Sequence, residues 1–280
     1  MAAARDFRLC SCSRFAAIAV SFARGAGRQT HSLCPDQIAL MVGSCRGVVL
    51  KGNVIDSTLY VASTWVVPAL LAITLHEAAH GYVAKLRGDD TAWQLGRVSL
   101  NPLKHVDPVG TVVLPALLLL MHAPFLFGYA KPVPVRFDRL RNPRRDMVSV
   151  AAAGPAMNVV LATLAALLLH VVAFLPPELG RWFFANLAHA IELNVILALF
   201  NLIPIPPLDG GRVAVGLLPD TLAAPLARLG RYGMSIAIGL LFLLPMLAAQ
   251  AGYHLDLFTR LVERPANALI NAILVLTGNR

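Results

Sequence analysis

The chain has 280 residues, 57% hydrophobic and only 14% charged, with 24 Lys and Arg against 15 Asp and Glu for a formal charge of +9. A soluble domain with so few charges could not cover its surface, and disordered, collagen-like and coiled-coil chains each need a different bias. What remains is an all-α multi-pass membrane protein; with no aromatic-interleaved basic patch and no glycine-rich phosphate loop, the positive charge suits membrane-flanking loops rather than nucleic acid.

Residues 1–53 read as a disordered or targeting-like extension. They hold seven Lys/Arg against two Asp, all four cysteines (Cys10, Cys12, Cys34, Cys45), and a short apolar run at 15–23. The cysteines form no CxxC pair and read as incidental. Residues 54–253 form one membrane domain. Its apolar runs are 58–75 (continuing as a helical pattern to about Lys85), 109–127, 147–175, 186–203 and 233–250. Each reaches or approaches the roughly 20 residues a spanning helix needs, which predicts a helical bundle of four to five spans. Residues 254–280 read as an amphipathic C-terminal segment carrying Arg260, Glu263 and Arg264. The stretch 128–146 holds six Lys/Arg and two Asp, whereas 175–186 has only Glu178 and Arg181. The first of these therefore marks the cytoplasmic side. Trp93 reads as an interfacial anchor.

Candidate chemistry begins with His76-Glu77-Ala78-Ala79-His80, near the end of the first apolar helix. Histidines four apart lie on one helix face, so both imidazoles can address one metal ion, and Glu77 beside them can take a proton from a metal-bound water. Polar groups at membrane depth are costly and mark function. A catalytic zinc takes three protein ligands and keeps one position open, so a third ligand must come from elsewhere. Two acidic residues compete. Glu192 lies inside a span; Asp209 follows a break at Pro204, Pro206 and Pro207, which frees the backbone to aim a carboxylate back into the bundle. From spacing alone Asp209 reads equally as a helix cap before Gly210-Gly211. His105 and Asp107 either line the mouth of the site or order their own loop. Asn158 either hydrogen-bonds the reacting carbonyl and substrate or joins helices. Asn194 and Asn201 point to the bundle interior, and His170 and His189 to its far side.

The motifs HEAAHG, NPLKHVDPVGT (101–111), GYAKPVPV (128–135), AGPAMN (153–158) and FNLIPIPPLDGGR (200–212), in that order, resemble the compact bacterial members of the site-2 protease family, which are zinc metalloproteases cutting peptide bonds within the membrane. The resemblance covers roughly residues 58–232. It implies His76, His80 and Asp209 as ligands of one Zn2+, Glu77 as general base, and Asn158 as an active-site residue. It also implies a multi-pass protein of the cell (inner) membrane, its site within the bilayer and open to the cytoplasm. The partners it implies are the lipid bilayer and a membrane-protein substrate with a transmembrane helix.

That ligand set carries a topological condition. If 109–127 crossed the membrane once, the HEAAH helix and the 186–203 span would run antiparallel, leaving Asp209 a bilayer of about 30 Å from the histidines. Asp209 can therefore reach them only if 109–127 re-enters and leaves on the same side, which its prolines favour. Residues 85–146 then gather ten Lys/Arg on that side. Two other classes stand against the protease reading: a metal-binding transporter, which has no need of Glu77 between two ligands, and a non-catalytic scaffold, which has no need of an intact motif.

Overall fold

The computed structural model describes residues 54–113, 117, 120, 131–250, 252–253, 255 and 257–279; the extension 1–53, and most of 114–130, lie outside the described residues. Helix α1 (Val54–Leu86) carries the first apolar run on through both histidines. It stops where the sequence supplies a glycine. Gly88 has φ 113°, its N–H returns to the Lys85 carbonyl at 3.2 Å, and the Asp89 N–H reaches Ala84 at 3.0 Å, closing the helix end.

Helix α2 (Pro143–Leu168) opens on a proline, whose missing N–H costs nothing in a first turn. The Asp146 carboxylate accepts from the Asn142 N–H at 2.8 Å, and the helix runs on in tighter turns to Phe174. Helix α3 (Pro177–Asn201) starts earlier than its apolar run implied. Glu178 and Arg181, which looked like linker, pair with each other on its first turn, so they solvate the helix end without interrupting it. Beyond the proline-rich turn come α4 (Asp209–Leu217) and α5 (Asp220–Leu229). Helix α6 starts at Gly233–Ile238 and continues to Gln250 through one wide turn, and α7 (Arg264–Leu276) lies near the C-terminus.

Three helices among the described residues are long and apolar enough to cross a membrane: Leu59–Leu86, Pro143–Phe174 and Pro177–Asn201. The expected span at 233–250 is a shorter apolar helix, Ser235–Gln250. The 109–127 run falls mostly outside the described residues, and its start, Pro108–Val113, is one wide helical turn. The outer faces of the long helices carry bare apolar side chains, Leu59 63% and Phe174 86% exposed, as a bilayer-covered bundle should.

Helix α2 is central, packed against α1, α3 and α4. Its Ala162, Ala165 and Ala166 meet Ile191 and Val195 of α3 and Ala266 and Ile273 of α7. Small residues let these helices approach closely, which is how helices associate where there is no water to expel. The C-terminal segment thus packs on the bundle through α7, and Asn279 Nδ2 donates to the Ala166 carbonyl at 2.7 Å.

The end of α1 meets the start of α2. The Arg141 N–H donates to the Arg87 carbonyl at 3.0 Å, and the Arg87 guanidinium lies 3.4 Å from Asp146. Arg87 and Arg141 therefore meet at one end of the bundle. Helices α1 and α3 run parallel, and both finish at the end where the histidines lie.

Candidate metal centre

His76 and His80 sit one turn apart in the last third of α1, both buried. Their Nε2 atoms are 3.1 Å apart, with the rings nearly perpendicular at 84°. Asp209, the first residue of α4, brings Oδ2 to 3.2 Å from each Nε2. Its side chain makes no cap bond; Leu208 holds the cap position instead, so the capping alternative falls away. Zinc–nitrogen and zinc–oxygen bonds of about 2.0–2.2 Å at tetrahedral angles separate ligand atoms by roughly 3.3–3.6 Å, close to the triangle formed here.

The hydrogen bonds behind the rings say what belongs between them. His80 Nδ1 lies 2.7 Å from the Val150 carbonyl, and His76 Nδ1 lies 2.9 Å from Asn158 Oδ1. Both oxygens only accept, so each Nδ1 carries the ring proton and each Nε2 presents a lone pair. Three electron-rich atoms, packed edge to edge in a buried pocket, fit a cation. Among the described residues, His76, His80 and Asp209 form the group able to hold a metal ion.

Glycines make the approach physically possible. A Cβ on Gly154 of α2 would stand 2.4 Å from His80 Nε2 and 2.6 Å from His76 Nε2, so Gly154 is the floor of the site. Gly210 and Gly211 fold α4 back on the proline turn, where Cβ atoms would meet the Leu202 carbonyl at 2.1 Å and Pro206 N at 2.2 Å. That fold-back turns Asp209 towards α1. Arg212, one turn on, lies 4.0 Å from Asp209 Oδ1.

Glu77 faces the extended segment 131–136, and its Oε2 accepts from the Val133 N–H at 2.8 Å. Asn158 is fully buried behind His76. His105 is also buried. Its Nε2 donates to the Ser99 carbonyl at 3.0 Å and its own carbonyl accepts from Lys131, while Asp107 accepts from Val109 and Gly110; both order their loop. Asn194 and Asn201 donate to carbonyls one turn back on α3, Ala190 and Leu197. His189 stacks on Trp65 and bonds the Thr64 carbonyl, away from the site. Sequence reasoning missed two backbone groups, the Val150 carbonyl and the Val133 N–H. Any residue type supplies either, so no side-chain motif could have revealed them.

Comparison with known proteins agrees with this geometry. The family model for peptidase family M50 matches residues 178–246, the stretch that contains Asp209. The chain is 37% identical over 209 residues to a Bacillus subtilis (strain 168) protein named "Putative zinc metalloprotease YwhC", an alignment covering 71% of this chain and 92% of that protein. The chain belongs to peptidase family M50, the site-2 protease family. Two mycobacterial relatives share the name "Putative zinc metalloprotease Rip2". The Mycolicibacterium smegmatis one is 35% identical over 61% of this chain and 64% of its own length. The Mycobacterium tuberculosis (strain H37Rv) one is 31% identical over 64% and 66%. No solved structure matches. As a member of M50 with a buried two-histidine, one-aspartate group, the chain is a zinc metalloendopeptidase and a membrane protein.

Proposed function

We propose that this protein cleaves peptide bonds in or near transmembrane segments of other membrane proteins, with His76, His80 and Asp209 holding one zinc ion and Glu77 as general base. The observation that carries the reading is the meeting of two bare imidazole nitrogens and a carboxylate at 3.1–3.2 Å in the last turns of an apolar, span-length helix. Zinc in that position polarises a peptide carbonyl and acidifies a water.

The chain's own residues do the rest. Glu77 takes a proton from the attacking water as the water oxygen bonds the carbonyl carbon, then delivers it to the amide nitrogen as the C–N bond breaks, leaving a carboxylic acid and an amine, between which the second water proton then passes to give carboxylate and ammonium. Val133 holds Oε2 of Glu77, which leaves the other carboxylate oxygen for the proton. Asn158 Oδ1 keeps the His76 ring turned and tautomerised for binding, and its Nδ2, with no partner, is left to donate to the reacting carbonyl or substrate. A helical substrate hides its carbonyls in hydrogen bonds, so the segment cut must unwind and lie extended.

The site opens towards the cytoplasm in this reading. Support comes from the ten Lys/Arg of 85–146, at the bundle end where α1 and α3 finish. The test starts with metal content in detergent: about one zinc per chain in the parent, much less in Asp209→Ala, and no loss in Glu192→Ala. Glu77→Gln should keep zinc and lose cleavage of a transmembrane substrate. Equal zinc in parent and Asp209→Ala overturns the ligand set. Cleavage surviving in Glu77→Gln overturns the general-base role, and no cleavage by the zinc-loaded parent returns the transporter reading.

A further inference from the structure

The loop that joins α1 to Pro108 bonds its polar groups to its own backbone and presents leucines outward, with Gln94, Asn101 and Lys104 exposed beside them. The N–H groups of Leu95, Gly96 and Arg97 bond the carbonyls of Thr91, Trp93 and Ala92, and Asn101 Oδ1 accepts from the Leu103 N–H at 3.0 Å. The two cations fold back as well. Lys104 Nζ donates to the Gly96 carbonyl at 3.0 Å, and the Arg97 guanidinium donates to the carbonyls of Lys104 and Lys131. The leucines turn out: Leu95 is 64%, Leu100 72% and Leu103 78% exposed. Irregular backbone is kept out of the hydrocarbon core, so a loop with leucines outward and its backbone groups satisfied suits the boundary between headgroups and acyl chains.

The loop also lies against the last turns of α1. A Cβ on Gly81 would meet Val98 Cγ2 at 2.6 Å and Ala92 Cβ at 3.4 Å, so the loop packs flat against α1 at that level. Gly81 lies five residues inside the end of the apolar span at Leu86, about 8 Å along the axis at 1.5 Å per residue. Trp93, half-exposed, lies beneath Lys85 Nζ at 3.2 Å from its ring centre, an amphipathic pairing suited to the headgroup level.

We propose that residues 93–104 are a membrane foot, in which Leu95, Leu100 and Leu103 insert into the headgroup–acyl boundary of the leaflet at the histidine end of the bundle. The occupant of this surface is lipid. The foot ties the segment bearing Lys131 and Val133, and through Val133 the carboxylate of Glu77, to the depth of the bilayer.

The test uses the full chain with its four cysteines replaced by serine, labelled with an environment-sensitive fluorophore at Leu103→Cys or, as a water-facing control, at Asp138→Cys. Both positions are exposed, so neither label disturbs packing. Reconstituted in phosphatidylcholine–phosphatidylglycerol vesicles, the label at 103 should emit to the blue and be quenched by lipids brominated near the headgroup. Its quenching by aqueous iodide should be several-fold weaker than at 138. Equal iodide quenching at both positions, with none from brominated lipid, overturns the proposal. Protection at 103 from both quenchers also overturns it and assigns the leucines to a protein surface, whether a second copy or another chain. Zinc content and cleavage are not read in this experiment, so its failure leaves the protease reading standing.

Discussion

Asn158→Ala tests the site at its most informative point, because it removes a group that touches no metal. Asn158 Oδ1 accepts from His76 Nδ1 at 2.9 Å, with both side chains buried. Its Nδ2 has no partner, so truncation breaks no second hydrogen bond there. Without the acceptor, the His76 ring has two courses. It can keep its Nδ1 proton unpaired in a dry site, which costs about 1–3 kcal/mol, or move the proton to Nε2 and lose the lone pair that faces the cation. Either course weakens zinc binding by roughly 10–100-fold, the range found for partners behind metal-bound histidines, or about 1.4–2.8 kcal/mol. Competition against chelators of graded affinity reads this directly. Asn158→Asp, which restores an acceptor at the same place, should recover most of the affinity. Asn158→Ala binding zinc as tightly as the parent, while Asp209→Ala does not, would refute the idea that the ring is held from behind.

Three further outcomes are expected. Gly154→Ala puts a methyl group 2.4–2.6 Å from both imidazoles; zinc stoichiometry should fall, and overpacking should cost about 1–3 kcal/mol in thermal unfolding. Unchanged zinc in that variant would mean the histidines do not rest on α2. Asp89 is fully buried. Burial pushes its carboxyl up, but bonds from the Thr91 hydroxyl and from the N–H groups of Arg136 and Thr91 more than offset this and hold it below the usual range. A depressed folded-state pKa stabilises above the unfolded value of about 3.9 and loses that stabilisation as pH falls through the folded value. Asp89→Asn should therefore melt below the parent at pH 7, with the gap closing towards pH 3; a constant gap would remove the charge from the explanation. Glu77→Gln should lose on the order of 10²–10⁴ in cleavage rate at unchanged zinc content.

Much of the site was legible because a helix fixes distances along itself. His76 and His80 share a face by covalent spacing, whatever else the chain does, and Glu77 comes with them. The apolar runs and the proline break before Asp209 are equally local, as are the glycines of the 209–211 turn. The start of α3 was misjudged because Glu178 and Arg181 carry charge without ending a helix, a distinction that lies in their pairing on the first turn.

The chain's order and spacing by themselves determined the class, an all-α membrane protein, and two of three ligand-type residues with the acid beside them. Which carboxylate completes the group was decided in three dimensions, because Glu192 and Asp209 are both far from His80 in sequence and only the packing of α2 between α1 and α4 selects one. The same holds for the oxygens of Asn158 and Val150 that set both imidazole tautomers, and for the Val133 N–H that holds Glu77. A motif names side chains. The protons on those rings answer to whichever oxygen the folded bundle places behind them, and that placement exists only once the helices have packed.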